Sequence, residues 1–133
     1  MVIDPSAIIA ILLGEPEAAA LVKAMGQDGK RLVSVFSVLE ASVVLERRKG
    51  ETGQRDLDRF LRDAKITMVD FNEPQLEIAR EAWRKFGKDR HPARLNLGDC
   101  CSYALAKYTG EPLLFKGKDF SQTDLTRLCY KEE

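Results

Sequence analysis

Four acidic side chains stand where a short apolar run ends or an apolar helix begins: Asp4, Glu40, Asp99 and Asp119. Asp4 follows Val2-Ile3, and Glu40 lies among Phe36, Val43 and Val44. Asp99 heads the stretch Cys100 to Ala106, and Asp119 comes just after Leu113-Leu114-Phe115. Most charged side chains belong on solvated faces, whereas these border segments that must be buried. If the strands are parallel neighbours, all four carboxylates gather at one edge of one sheet. Two carboxylates about 4 Å apart near a surface repel by about 4 kcal/mol at an effective dielectric of about 20. Helix capping, worth about 1 kcal/mol per cap, does not offset that repulsion. Such a set either takes up protons or binds a cation. Oxygen-only donors select hard ions, Mg²⁺ with Mn²⁺ as a substitute, over zinc. Mg²⁺ is usually held directly by few carboxylates and keeps waters elsewhere, so Asp4 and Asp99 are the expected direct ligands. Glu40 and Asp119 would then hold metal-bound waters or a second ion.

Each acid also has a plainer reading. Asp4 precedes Pro5, and an Asp cap with Pro at the first helical position is a favoured helix start. Asp99 lies three residues after Asn96, as in a capping box. Asp119 can cap a turn after Gly117-Lys118, and Asp124, after Thr123, can do the same; Asp124 ranks below the other four. Glu40 resists such a reading. Its helical neighbours Phe36, Ser37, Val43 and Val44 include no cation, and a carboxylate on that surface needs an arginine or a metal from elsewhere.

The elements that must position these acids alternate. Met1–Ile3, Arg31–Val35, Ile66–Phe71 and Leu113–Phe115 read as strands, with Leu125–Leu128 as a further short one. Helices are expected over Ala7–Leu13, Glu17–Met25, Ser37–Arg48, Gly53–Ala64, Glu73–Phe86 and Leu97–Tyr108. The first break falls at Gly14-Glu15-Pro16, and a polar, basic loop spans Gly87–Asn96. In Glu73–Phe86 the inward positions are Leu76, Ala79, Ala82 or Trp83, and Phe86. Strands separated by helices indicate an α/β domain with a mainly parallel sheet. In such sheets ligands gather beyond the carboxyl ends of the strands, where the strand order reverses. Asp4 and Asp119 follow strands at that edge, and Glu40 and Asp99 fall early in helices that start there.

Composition narrows the classes. The 133 residues suit a single domain, 1–133, with 44% hydrophobic and 32% charged residues. No apolar run approaches the roughly 18 residues of a membrane span, and no basic stretch precedes the first apolar run, so neither a membrane span nor a signal peptide is expected. Formal net charge is zero, so attraction for a nucleic acid has to be local. The cysteines, Cys100, Cys101 and Cys129, are odd in number and lack Cys-x-x-Cys spacing. That disfavours zinc and a disulfide framework and fits a reducing cytoplasm. His91 is the one histidine, which excludes a two-histidine acid–base nuclease; it reads as a solvated loop residue.

Val2-Ile3-Asp4-x-Ser6-Ala7, Leu39-Glu40, Asn96-x-Gly98-Asp99-Cys100, and Leu113-Leu114-Phe115-Lys116-Gly117-x-Asp119-Phe120 with Thr123-Asp124 resemble PIN-domain ribonucleases, most closely the VapC toxins of bacterial toxin–antitoxin pairs. The resemblance runs nearly end to end. It implies a three-layer α/β/α sandwich with a central, mainly parallel sheet of four to five strands. It further implies Mg²⁺-dependent RNA cleavage, a homodimer and a VapB-type antitoxin, and it matches Asp4, Glu40, Asp99 and Asp119 to the family's acidic site. One departure is Pro5, where Thr or Ser is usual in these toxins. A hydroxyl and a backbone N–H are absent there, which bears on activity more than on fold.

The expected chemistry is metal-assisted hydrolysis of RNA phosphodiester bonds. Lys116 and Lys118 flank Asp119, and Lys88, Arg90 and Arg94 crowd the loop before Asp99; these are the candidate phosphate contacts, against the plainer reading of a solvated basic loop. A second hypothesis is a PIN-like RNA- or protein-binding module with weak or no catalysis, supported by Pro5 alone. Aspartyl-phosphate transfer also places an Asp after the first strand, but it commonly uses Asp-x-Asp, and here Ser6 holds the third position.

Overall fold

Parallel pairing needs short apolar segments in register, and the sequence supplies four. A computed structural model describes residues 1–89 and 91–126, with the main chain alone at Asp119. Strands β1 (Val2–Ile3), β2 (Leu32–Ser34), β3 (Thr67–Val69) and β4 (Leu113–Leu114) form one parallel sheet in the order β3-β2-β1-β4. Val2 is in register with both Leu32 and Leu113, and Ile3 with Leu114. Successive strand side chains point to opposite faces, so this register sorts the core into two. Ile3, Val33 and Leu114 enter one hydrophobic cluster; Val2, Leu32 and Leu113 enter the other.

Helices α1 (Pro5–Leu12), α2 (Ala18–Met25), α3 (Val35–Lys49) and α4 (Glu51–Asp63) supply the first cluster. Helices α5 (Glu73–Phe86) and α6 (Leu97–Thr109) supply the second. The result is the expected α/β/α sandwich, with four strands among the described residues. A short 3₁₀ turn, Asp119–Gln122, follows β4. The expected strand Leu125–Leu128 runs past the described residues; Leu125 and Thr126 are not in a strand, although the Thr126 carbonyl accepts from Leu113 N–H at 3.0 Å. Cys129 and Arg90 also lie outside the described residues. No helix among those described is long and apolar enough to cross a membrane.

Local chemistry moved several boundaries. Helix α3 starts two residues before Ser37, because the Ser34 side chain accepts from Phe36 N–H and caps the chain as it leaves β2. Strand β3 is an edge strand, and Met68 is 55% exposed despite its apolar side chain. On α5 the inward face is corrected: Leu76 is 43% exposed and Gln75 is fully buried. The Gln75 amide tolerates that position by donating to the Asp70 carbonyl at 2.9 Å.

The chain runs from β1 to β2 and β3 on one side and then returns to place β4 on the other side of β1. The reversal of strand order therefore lies between β1 and β4, directly beyond Asp4.

Candidate active site

Asp4 leaves β1 in an extended conformation and caps α1, with Pro5 at its first position. Its Oδ2 accepts from Ser6 N–H at 3.0 Å, and its Oδ1 accepts from the Ser102 hydroxyl of α6 at 2.6 Å. The residue is only 4% exposed. Capping and site formation are thus one arrangement here. The cap accounts for one oxygen, and a hydroxyl from a helix 98 positions away reaches the other.

Glu40 lies in the second turn of α3 and is half-buried. Its carboxylate is pressed against the Gly98 backbone at the start of α6. A Cβ on Gly98 would fall 2.7 Å from Oε2 and 2.8 Å from Cδ. Burial pushes the Glu40 carboxyl above the usual glutamate range, and the neighbouring Asp4 charge pushes it further the same way. Among the described residues no lysine or arginine forms an ion pair with Glu40. The Cys101 thiol is pushed up to about 11, first by burial and then by the Glu40 charge. Cys100 is pushed up to about 12, first by burial and then by the Asp99 charge. Both thiols stay protonated near neutral pH and act as packing groups.

Asp99 occupies the third position of α6 and forms a reciprocal capping box with Asn96. Its Oδ2 accepts from Asn96 N–H at 3.0 Å, and its own N–H donates to Asn96 Oδ1 at 2.8 Å. Asp4 acts by charge on Glu40, and the Asp99 side chain is turned toward its cap. Among the described residues no three of His, Cys, Asp and Glu are close enough together to enclose a metal ion. The Asp119 main chain opens the 3₁₀ turn after β4, and its side chain lies outside the described atoms. The donors present still fit a hard divalent cation. They are carboxylate oxygens, and a carboxylate with raised proton affinity beside a second one gains from any cation between them.

The basic residues divide. Lys88 and Arg94 are exposed on the loop between α5 and α6, whose base is closed by Lys88 N–H to the Leu95 carbonyl and Leu95 N–H to the Phe86 carbonyl, both 2.9 Å. Lys118 is exposed. Lys116 is committed: its ammonium lies 2.7 Å from Glu15 Oε1 and 3.2 Å from Glu17 Oε2, the second an ion pair by distance without a hydrogen bond's geometry. His91 differs from the expected solvated residue. Its Nδ1 accepts from Ala93 N–H at 3.0 Å, and its ring meets Phe86 edge-on, so it braces the loop. Asp124 accepts from the Tyr103 hydroxyl at 2.6 Å and pairs with Lys107 at 2.9 Å, which ties the chain beyond the 3₁₀ turn to α6.

Two features escaped the sequence reading. Ser37 and Ser102, both fully buried, lie 3.4 Å apart through their hydroxyls beside Asp4. Their signal was faint: one serine three residues before Glu40, another three after Asp99. The second feature is a pair of adjoining apolar clefts of about 410 and 490 Å³ that share Phe36 and Leu97. Leu39 and Leu97, 61% and 73% exposed, rim the cleft that also reaches Glu40.

Comparison with known proteins agrees with this geometry. The PIN domain pattern matches residues 1–125. The chain is 50% identical to Ribonuclease VapC of Mycolicibacterium smegmatis over 125 residues, 94% of this chain and 97% of that protein. It is also 50% identical to Ribonuclease VapC30 of Mycobacterium tuberculosis, over 97% of this chain and 98% of that protein. Among solved structures, VapC20 of Mycobacterium tuberculosis, a sarcin-ricin loop cleaving toxin, superimposes with a TM-score of 0.74 at 17% identity, covering 94% of this chain and 95% of that one. VapBC2 of Rickettsia felis, bound to a DNA fragment from its promoter, gives a TM-score of 0.75 at 14% identity and covers 98% of both chains. The chain belongs to the PIN-domain family and, within it, to the VapC ribonucleases.

Proposed function

We propose that this protein is a metal-dependent endoribonuclease, the toxin of a VapBC-type toxin–antitoxin pair, acting in the cytoplasm with Mg²⁺ and accepting Mn²⁺ in its place. The observation that carries the reading is that Asp4 and Glu40 both reach the first turns of α6, through Ser102 and Gly98, where the strand order reverses. Asp4, Glu40, Asp99 and Asp119 are the proposed acidic set, with Asp4 and Asp99 as direct metal ligands. Taking that role requires the Asp99 carboxylate to serve the ion while keeping, or releasing, its bond to Asn96 N–H. When bound, the ion supplies a more acidic water and neutralises charge on the phosphate.

The chain's own residues do the rest. Asp4 is fixed from two sides and Glu40 is held at the mouth of α6. Lys88, Arg94 and Lys118 offer exposed charge for RNA phosphates. The apolar clefts beside Glu40 suit a partner protein better than a polar RNA strand, and a VapB-type antitoxin seated there would cover the acids. The test is Asp4→Asn, measured by cleavage of an RNA panel with Mg²⁺ and by Mn²⁺ binding in electron paramagnetic resonance. Both should be lost. Full cleavage with full Mn²⁺ binding would overturn the reading.

A further inference from the structure

Three elements carry the described acids, and one buried polar chain joins all three. Ser102 Oγ lies 2.6 Å from Asp4 Oδ1, and Ser37 Oγ lies 3.4 Å from Ser102 Oγ. Both serines are fully buried and Asp4 nearly so. A serine hydroxyl has one proton to donate. The carboxylate only accepts, so the Ser102 proton goes to Asp4. Ser102 must then be the acceptor in its contact with Ser37, which fixes the direction as Ser37 to Ser102 to Asp4. An O–H to carboxylate bond this short is charge-assisted and among the stronger ones available to a side chain.

The placement of the serines gives the chain its meaning. Ser37 lies three residues before Glu40 on α3, and Ser102 three after Asp99 on α6, spacings that put each serine on the same helix face as its acid. The rotation of α3 and of α6 is therefore pinned to the end of β1 where Asp4 sits. Pro5, next to Asp4, offers neither a hydroxyl nor an N–H to share in this work.

We propose that Ser102, braced by Ser37, is a positioning residue that sets the orientation of the Asp4 carboxylate toward a divalent cation. This rests on the nuclease reading. With Oδ1 held by Ser102 and Oδ2 by Ser6 N–H, the carboxylate is locked in rotation before any ion arrives. Groups that orient a ligand in this way typically account for a 10- to 100-fold difference in metal affinity or activity.

The experiment is a Mn²⁺ titration of the full chain by electron paramagnetic resonance, with RNA cleavage in parallel, for Ser102→Ala, Ser37→Ala and Ser102→Thr. Ser102→Ala should bind Mn²⁺ at least about 10-fold more weakly. Ser37→Ala, which spares the bond to Asp4, should fall between that variant and wild type, and Ser102→Thr, which restores a hydroxyl, should recover most of the affinity. A serine with a packing role only would lower the melting temperature and leave Mn²⁺ affinity alone, and that result would overturn the proposal. If Ser102→Ala does not fold, Ser37→Ala decides by the same criterion. Asp4→Asn separates the two failures. Mn²⁺ binding lost in Asp4→Asn but intact in Ser102→Ala defeats this proposal alone, whereas binding intact in both defeats the nuclease reading itself.

Discussion

Gly98→Ala adds one methyl group to the second position of α6, where the Glu40 carboxylate already occupies the space. The new Cβ would stand 2.7 Å from Oε2 and 2.8 Å from Cδ. Carbon contacts are comfortable at about 3.5–4.0 Å, so the carboxylate has to retreat by roughly 1 Å. The atoms displaced are the far end of a flexible, half-exposed side chain, and the helix need not move. A misplacement of about 1 Å in a catalytic constellation is associated with a loss of about 100-fold, equivalent to about 2.7 kcal/mol in the barrier. Stability should go the other way. Alanine is favoured over glycine inside a helix by roughly 0.5–1 kcal/mol, less in the first turn. Cleavage of RNA at saturating Mg²⁺ should therefore fall about 100-fold while the urea midpoint holds or rises. Full activity would show that the position of the Glu40 carboxylate does not matter to the reaction. A large loss of stability would show that the carboxylate cannot retreat.

Glu40→Gln removes a carboxylate whose proton affinity is raised in the fold. Stability tied to the protonated acid is present below the ordinary glutamate value and lost as pH rises through the raised one, so in EDTA the variant should melt above wild type at pH 8 and with it at pH 4, and added Mg²⁺ should narrow the gap by stabilising wild type alone. Asp99→Asn keeps an oxygen to accept from Asn96 N–H and should hold stability within about 0.5 kcal/mol, whereas Asp99→Ala breaks the capping box and should cost about 1 kcal/mol in urea unfolding. Both should abolish cleavage if the acid serves the reaction, and an active Asp99→Asn would leave it a cap only. Lys88→Gln with Arg94→Gln, in an Asp4→Asn background, should reduce the salt dependence of RNA binding by roughly 0.7 per phosphate contact removed. Lys116→Gln should leave that slope unchanged, because its charge already faces Glu15 and Glu17; equal slopes for all variants would mean that the loop is merely solvated.

The sheet and its helices were legible because each strand is a short apolar run between turn residues, and because the order of elements leaves few topologies. Asp4 and Glu40 were legible for different reasons. Asp4 follows a strand, and Glu40 has no cation three or four positions away on its own helix. The direction of a side chain was harder to read. Asn96 three residues before Asp99 announced a cap, yet the sequence alone does not say that the carboxylate turns toward it. Gln75 and Leu76 exchanged places because the Asp70 carbonyl, a backbone group with no mark in the sequence, accepts from the buried Gln75 Nε2. Lys116 read as free charge because its partners Glu15 and Glu17 lie on the connection between α1 and α2, about a hundred residues earlier in the chain. Ser37 and Ser102 carried only the faint signal of their three-residue spacing from Glu40 and Asp99. A serine is unremarkable in any helix until tertiary structure sets a carboxylate beside it.

Two of the acids proposed for catalysis are also helix-capping groups. Asp4 caps α1, and Asp99 caps α6 through its box with Asn96. Helix N-termini concentrate unpaired N–H groups and the positive end of the helix dipole, which favours a carboxylate at either place. Glu40 differs: it lies in the second turn of α3, and burial first, then the Asp4 charge, raises its proton affinity. In the proposed metal site, helix ends would hold two anions in place and Glu40 would gain most from a bound cation. Pro5 fits this division, since it rigidifies the cap that holds Asp4 while a hydroxyl reaches the same carboxylate from α6.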